Sequence, residues 1–244
     1  MLSAQELERY QRQIMIRGFG QEGQEKLKRA KVFLAGAGGL GSPSAIYLVA
    51  AGIGHIRIVD ADAIELGNLN RQVLHWTSDI GRNKVDSARN KLEQLNPGVD
   101  IQTVKERISE NNINELVSGY EALVDAVDNL STRYILNKAA QENKIPLFHG
   151  AVSGFEGRAM TVIPKQSACL MCLYRGVSLT QKSPVLGATP AIIACIQVTE
   201  VIKYFTGIGQ LLTNRFLIYD GLNMRFSEIA VTREPACKHC GIQV

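Results

Sequence analysis

The sequence has no run of lysine and arginine, no apolar N-terminal leader and no linker rich in proline, glycine or serine. The first absence, with a net charge of only +4 over 244 residues, leaves no track for a nucleic-acid backbone. It points at most to an acidic partner or a phosphate-bearing ligand. The opening MLSAQELERYQRQ is polar and charged from its start, which excludes a secretory signal and predicts a cytosolic protein. The missing linker, with no internal repeat or low-complexity segment, predicts one continuous domain over residues 1–244.

Long apolar runs are scarce too. The longest stretch without Asp, Glu, Lys or Arg contains Val32 to Gly54, but six glycines and Pro43 interrupt it. It reads as a buried strand, a turn and a helix, and no membrane span is expected.

The chain begins with charged residues at helical spacing, Ala4 to Lys28, which predict two short helices. Predicted strands follow at Lys31–Leu34, His55–Asp60, Asp100–Lys105, Ala122–Ala126 and Ile145–Phe148. Between them, helices are predicted over Ser42–Ala51, Lys84–Asn96, Ile113–Ser118 and Thr132–Glu142, with Gly52 and Pro97-Gly98 as stop signals. Mostly apolar strands separated by helices argue for a parallel sheet. After Gly150 the pattern changes to short strands at Arg158–Ile163, Phe216–Tyr219 and Phe226–Val231 around an apolar helix, Ala188–Phe205. The expected fold is α/β, a Rossmann-like, mostly parallel sheet with helices on both faces, extended by antiparallel strands in the C-terminal part. N-terminal helices occupy 1–30, a nucleotide-binding half 31–150 and a cysteine-bearing half 151–244.

Gly36, Gly38 and Gly41 form G-x-G-x-x-G between the first strand and its helix, with Gly39 inside the loop. Glycine allows the tight turn and lets backbone N–H groups approach phosphate at the helix N-terminus. Asp60 closes the second strand, where a carboxylate can accept from ribose hydroxyls, and Asp62 is its competitor. The loop signals a nucleotide without choosing among NAD, FAD and ATP. The polar stretch after Asp60, through Gly67, Asn68, Leu69, Asn70 and Arg71, is of no use to a dehydrogenase but suits an enzyme that cleaves a triphosphate. Lys84 at the next helix start and Arg12 in RYQRQ add cations. Asp128 in VDN follows a strand at the sheet's carboxyl edge, where ligands bind in open α/β folds and a carboxylate can hold magnesium.

Five cysteines are present, four of them in Cys169-x-x-Cys172 and Cys237-x-x-Cys240. Two such pairs in a reducing compartment favour a closed, structural zinc site of four thiolates over disulfides or a redox pair. Cys195 lies inside the apolar helix and reads as buried core.

RYQRQ, GAGGLG, VDADAIELGNLNRQ, GRNKVDSA, DAVDN and the two cysteine pairs occur in this order from Arg9 to Cys240. At these residues the chain resembles the MoeB/ThiF family, bacterial relatives of ubiquitin-activating enzymes. The resemblance implies ATP-dependent adenylation of the C-terminal carboxylate of a ubiquitin-like sulfur-carrier protein ending in Gly-Gly, with Mg2+ and a structural Zn2+. It implies that Gly39 lies against the phosphates, that Asp60 binds the ribose, and that Asn68, Arg71 and Lys84 contact the phosphates. Asp128 would position magnesium and the reacting carboxylate, with Asn129 beside it, and Arg12 would reach the partner's site in a homodimer. Family members that transfer sulfur carry a cysteine in the loop before the apolar helix. Here that loop, YRGVSLTQKSPVLGATP, has none, so adenylation without a loop thioester or persulfide is expected. The rivals are an NAD-dependent oxidoreductase with a structural zinc, a tRNA-modifying adenylyltransferase, which the modest charge disfavours, and a silent binding module.

Overall fold

The computed structural model describes residues 1–175 and 184–241. Three helices, rather than the two expected, open the chain: α1 (Ala4–Arg9), α2 (Gln11–Ile14) and α3 (Gly20–Arg29). Gly18, at φ +85°, makes a turn that separates the last two.

The sheet has eight strands: β1 (Lys31–Ala35), β2 (His55–Val59), β3 (Asp100–Val104), β4 (Ala122–Asp125), β5 (Leu147–Ser153), β6 (Glu156–Val162), β7 (Arg215–Asp220) and β8 (Arg225–Ala230). Their spatial order is β3-β2-β1-β4-β5-β6-β7-β8. The first five are parallel and the rest antiparallel, as the change of pattern after Gly150 implies. The remaining helices are α4 (Gly41–Ala51), α5 (Lys84–Leu95), α6 (Ile113–Val117), α7 (Leu130–Asn143), α8 (Leu170–Leu173) and α9 (Ala188–Thr206).

Strand periodicity divides the core in two. Val32 and Leu34 of β1 face α4 and α9 with Ile56, Ile58, Leu48 and Val201, whereas Phe33 and Ala35 face α6 and α7 with Leu123, Val117 and Leu136. Strands covered on both faces are mostly apolar, which is why β1 from Val32 and β4 up to Val124 read as hydrophobic runs. Helix α9 is long and apolar enough to cross a membrane by length and composition alone. One side of it packs on α4, β5 and β6, with Ile193, Ala194, Val198 and Val201 buried.

Two boundaries differ instructively from the expected ones. Helix α7 begins at Leu130 rather than Thr132, because Asn129 caps it by accepting the Thr132 N–H at 2.9 Å. Strand β5 runs on to Ser153 through Gly150, because β6 pairs with it along its full length.

Candidate active site

The strand order reverses between β1 and β4, so the loops leaving their carboxyl ends splay apart into a crevice. Gly36 to Gly41 form one wall and Ala126 to Asn129 the other. The glycines are required by contact. A Cβ on Gly36, at φ +100°, would stand 2.7 Å from the Ala126 carbonyl oxygen, and one on Gly41 would stand 2.0 Å from the Gly36 oxygen. Gly38 and Gly39 instead face side chains. Their Cβ positions lie 3.6 Å from Gln72 Nε2 and 3.5 Å from Arg71 Cγ, respectively.

Asp60 follows β2 directly and braces the loop, its Oδ2 accepting the Ala37 N–H at 2.8 Å. His75 holds the other side of the same residue, with Nε2 2.9 Å from the Ala37 oxygen. That contact to a carbonyl fixes Nε2 as the protonated nitrogen, so Nδ1, 3.1 Å from Ser87 Oγ, is the acceptor. Burial, with Lys91 and Lys84 nearby, pulls the His75 pKa below its ordinary value and keeps the ring neutral. Lys84, at the first position of α5, is buried with its ammonium 2.8 Å from Asp62 Oδ2 and 4.0 Å from Asp60 Oδ1. Asp62 is exposed, and Asp60 is the carboxylate tied to the glycine loop.

A short 3-10 turn, Leu66–Asn68, carries the next residues. Asn68 Oδ1 accepts the Glu65 N–H at 3.0 Å, and the Leu69 N–H donates to Leu66 O at 3.2 Å. Arg71 Nη1 donates to Gly67 O at 2.8 Å and to Asn70 Oδ1 at 3.0 Å, which folds its side chain across Gly39. On the opposite wall Asp128 is exposed, touched by Asn129 Nδ2 at 3.4 Å, and among the described residues no ion pair neutralises it. A free carboxylate at this edge suits a hard divalent cation.

The fold therefore brings together Gly36, Gly38, Gly39, Gly41, Asp60, Asp62, Gly67, Asn68, Leu69, Asn70, Arg71 and Lys84, with Asp128 and Asn129 opposite. Arg12 is elsewhere. Gln13 beside it donates to Ala51 O at 2.9 Å, at the far end of α4 from the glycine loop. Eleven residues of helix, about 16 Å, separate Arg12's neighbourhood from the site in its own chain. Two residues not expected at the site, Gln72 and His75, are buried against the loop. The Gln72 Oε1 has no hydrogen-bond partner, and in the sequence Gln72 is marked only by following Arg71.

The four cysteines converge. Cys169 and Cys172 precede and lie on α8, and Cys237 and Cys240 return from the C-terminal tail. Their sulfurs lie within 4.8 Å of one another, with Cys169–Cys237 at 3.7 Å and Cys172–Cys240 at 3.5 Å. A tetrahedral zinc with Zn–S bonds of about 2.3 Å places its sulfurs about 3.8 Å apart, so the set fits the ion. His239 is engaged elsewhere, its Nδ1 2.7 Å from Asn137 Nδ2. Cys195 corrects the expectation of a core thiol. It is exposed, because it falls on the side of α9 that faces away from the sheet, in an apolar groove with Tyr47, Ile192, Ile196 and Phe226. Residues 176–183, part of the loop that lacks the sulfur-carrying cysteine, lie outside the described residues.

Comparison with known proteins gives the family. Residues 10–240 match the ThiF family. The chain is 40% identical to the SAMP-activating enzyme E1 of Haloferax volcanii, over 98% of this chain and 91% of that one. It is 39% identical to the sulfur carrier protein adenylyltransferase of Thermus thermophilus, over 97% and 92%. It is 36% identical to the molybdopterin-synthase adenylyltransferase of Salmonella typhimurium, over 98% of each. Among solved structures, E. coli MccB with ATP superposes with a TM-score of 0.84 at 23% identity, covering 96% of this chain and 74% of that one, which supports the fold. Two of these relatives are named adenylyltransferases, one of them of a sulfur carrier protein, and neither the oxidoreductase nor the tRNA-modifying alternative is favoured. The chain belongs to the ThiF family.

Proposed function

We propose that this chain transfers the adenylyl group of ATP to the C-terminal carboxylate of a ubiquitin-like sulfur-carrier protein ending in Gly-Gly. A carboxylate oxygen attacks the α-phosphorus, the bond from that phosphorus to the bridging oxygen of pyrophosphate breaks, and an acyl-adenylate and pyrophosphate leave. The carrier's carboxylate is already ionised, so no base is needed. The difficulty is bringing an anion to a polyanion, and the observation that carries the reading is the collection of Arg71 and Lys84 around the glycine loop.

In this reading Asp60 accepts from the ribose hydroxyls, and the N–H groups of the glycine loop face the phosphates. Asn68, Arg71 and Lys84 compensate charge as it moves onto pyrophosphate. Asp128 would hold magnesium, which when bound would neutralise phosphate charge, and Asn129 steadies its carboxylate. The four thiolates would hold a structural zinc that fastens the C-terminal tail.

Arg12 supplies a further cation from a second copy of the chain. Its position on α2, near the end of α4 remote from the glycine loop and beside the exposed Met15 and Ile16, supports action in trans. A cytosolic location follows from a thiolate cluster that needs reducing conditions.

Carrier-dependent exchange of pyrophosphate into ATP tests the reaction. Exchange that needs the carrier supports it, and nicotinamide absorbance changes without exchange would replace it with a redox enzyme.

A further inference from the structure

Asp125 ends β4 with no exposed surface, three residues before Asp128, and the adenylation chemistry does not touch it. A fully buried carboxylate is costly unless its partners compensate, so those partners carry information. Its Oδ2 lies 2.6 Å from His149 Nδ1 and 3.4 Å from Arg133 Nε, and its Oδ1 accepts the Val127 N–H at 3.2 Å. His149, equally buried on β5, has its Nε2 2.8 Å from the Tyr174 hydroxyl. With the imidazole neutral, one arrangement satisfies Asp125, His149 and Tyr174 together. The Tyr174 O–H donates to Nε2, and the Nδ1–H donates to the carboxylate.

Both ends of this chain are anchored in segments that matter. At one end, the Val127 N–H is held by Asp125 and its carbonyl accepts from Arg133 Nη2 at 2.8 Å, so the residue just before Asp128 is clamped on both sides. At the other end, Tyr174 is the C-cap of α8, two residues beyond Cys172. Its N–H donates to Leu170 O at 2.9 Å and its carbonyl accepts from the Tyr134 hydroxyl at 3.0 Å. The backbone that carries the phenol is thereby fixed to the turn that carries Cys169 and Cys172.

We propose that Tyr174, His149 and Asp125 are positioning residues that tie the four-cysteine cluster to the Asp128 loop, so that metal at the cysteines and Mg2+·ATP in the crevice stabilise one another. The proposal rests on Asp128 as the magnesium-holding residue. A buried hydrogen-bond chain transmits position because a group that loses its partner inside the protein is left unsatisfied, so the chain moves as a unit. Coupling between two sites is reciprocal, and it can therefore be read at the zinc.

The experiment measures how fast a chromogenic chelator strips zinc from the full chain, with and without saturating Mg2+·ATP, and records nucleotide binding by a fluorescent ATP analogue. In the wild type, Mg2+·ATP slows zinc loss about fivefold, a modest coupling on the usual scale. Tyr174→Phe retains one zinc per chain and still binds nucleotide, but Mg2+·ATP no longer slows its loss. His149→Asn, which keeps an N–H for Asp125 and removes the partner of Tyr174, behaves the same and serves if the phenylalanine variant does not fold. Tyr174→Phe or His149→Asn with wild-type protection, or no protection in the wild type, overturns the proposal. Asp128→Ala separates the two ideas. If its magnesium-dependent nucleotide binding equals the wild type's, the reading of Asp128 is what fails.

Discussion

Lys84 shares one buried ammonium between two carboxylates, 2.8 Å from Asp62 and 4.0 Å from Asp60. Asp60 in turn holds the Ala37 N–H, so the cation is one bond removed from the glycine loop. Lys84→Met leaves two anions facing each other beside the phosphate site. Carrier-dependent ATP–pyrophosphate exchange is expected to fall on the order of 10²-fold, with the protein still folded by circular dichroism. An unchanged rate would remove Lys84 from the site.

The glycine loop predicts a contrast between two equivalent-looking substitutions. At Gly41 a Cβ would stand 2.0 Å from the Gly36 carbonyl, whereas at Gly67 nothing lies within 4 Å. Gly41→Ala should lose nucleotide affinity and cost about 1–3 kcal/mol, a clash of overpacking type. Gly67→Ala should leave both unchanged. Nucleotide titration and thermal unfolding of the pair check this.

The cysteine cluster predicts one tightly bound zinc per chain. Its removal should free the C-terminal tail, which Arg233 otherwise holds through Nε to Cys240 O at 2.8 Å. Limited proteolysis after chelation is expected to cut near residues 233–240 first, while the sheet persists. A proteolysis pattern indifferent to metal would contradict a structural role.

Asp79 gives a pH dependence with a definite sign. Burial alone would raise its pKa, but hydrogen bonds from Lys91 and from the Trp76 N–H outweigh it and hold the carboxyl at about 2. Because the folded value is depressed below the unfolded one, the stabilisation is complete above the unfolded pKa, about 3.9, and is lost as pH falls through 2. The difference in denaturant midpoint between wild type and Asp79→Asn should therefore be constant above about pH 5 and shrink towards pH 2. A difference that stays flat would deny the pair its role.

Trans action by Arg12 predicts complementation. Arg12→Ala and Asp128→Ala should each be inactive alone. An equal mixture that re-forms dimers should recover about a quarter of wild-type sites, since half the dimers are mixed and each has one intact site. No recovery, in dimers shown to exchange, would place Arg12 outside the partner's site.

The sheet was largely legible in the sequence because doubly covered strands are mostly apolar, so β1 and β4 stood out from their surroundings. Glycine spacing, the Asp60 position and the cysteine pairs were legible because each encodes a geometric demand. Residues whose role depends on distant partners were not. His149 needs Asp125 and Tyr174, 24 and 25 positions away, and no local pattern distinguishes it from any strand histidine. Cys195 misled because a helix apolar on nearly all sides hides which side meets the sheet. Helix periodicity fixes a face only when polar residues mark the other.

The most direct measurement is mass spectrometry of a Gly-Gly-ending carrier incubated with the chain, ATP and Mg2+. A carrier heavier by one AMP is expected with the wild type and with Cys195→Ala, and no such species with Asp128→Ala. A carrier that remains unmodified under wild-type conditions, or that is adenylated equally by Asp128→Ala, would contradict that expectation.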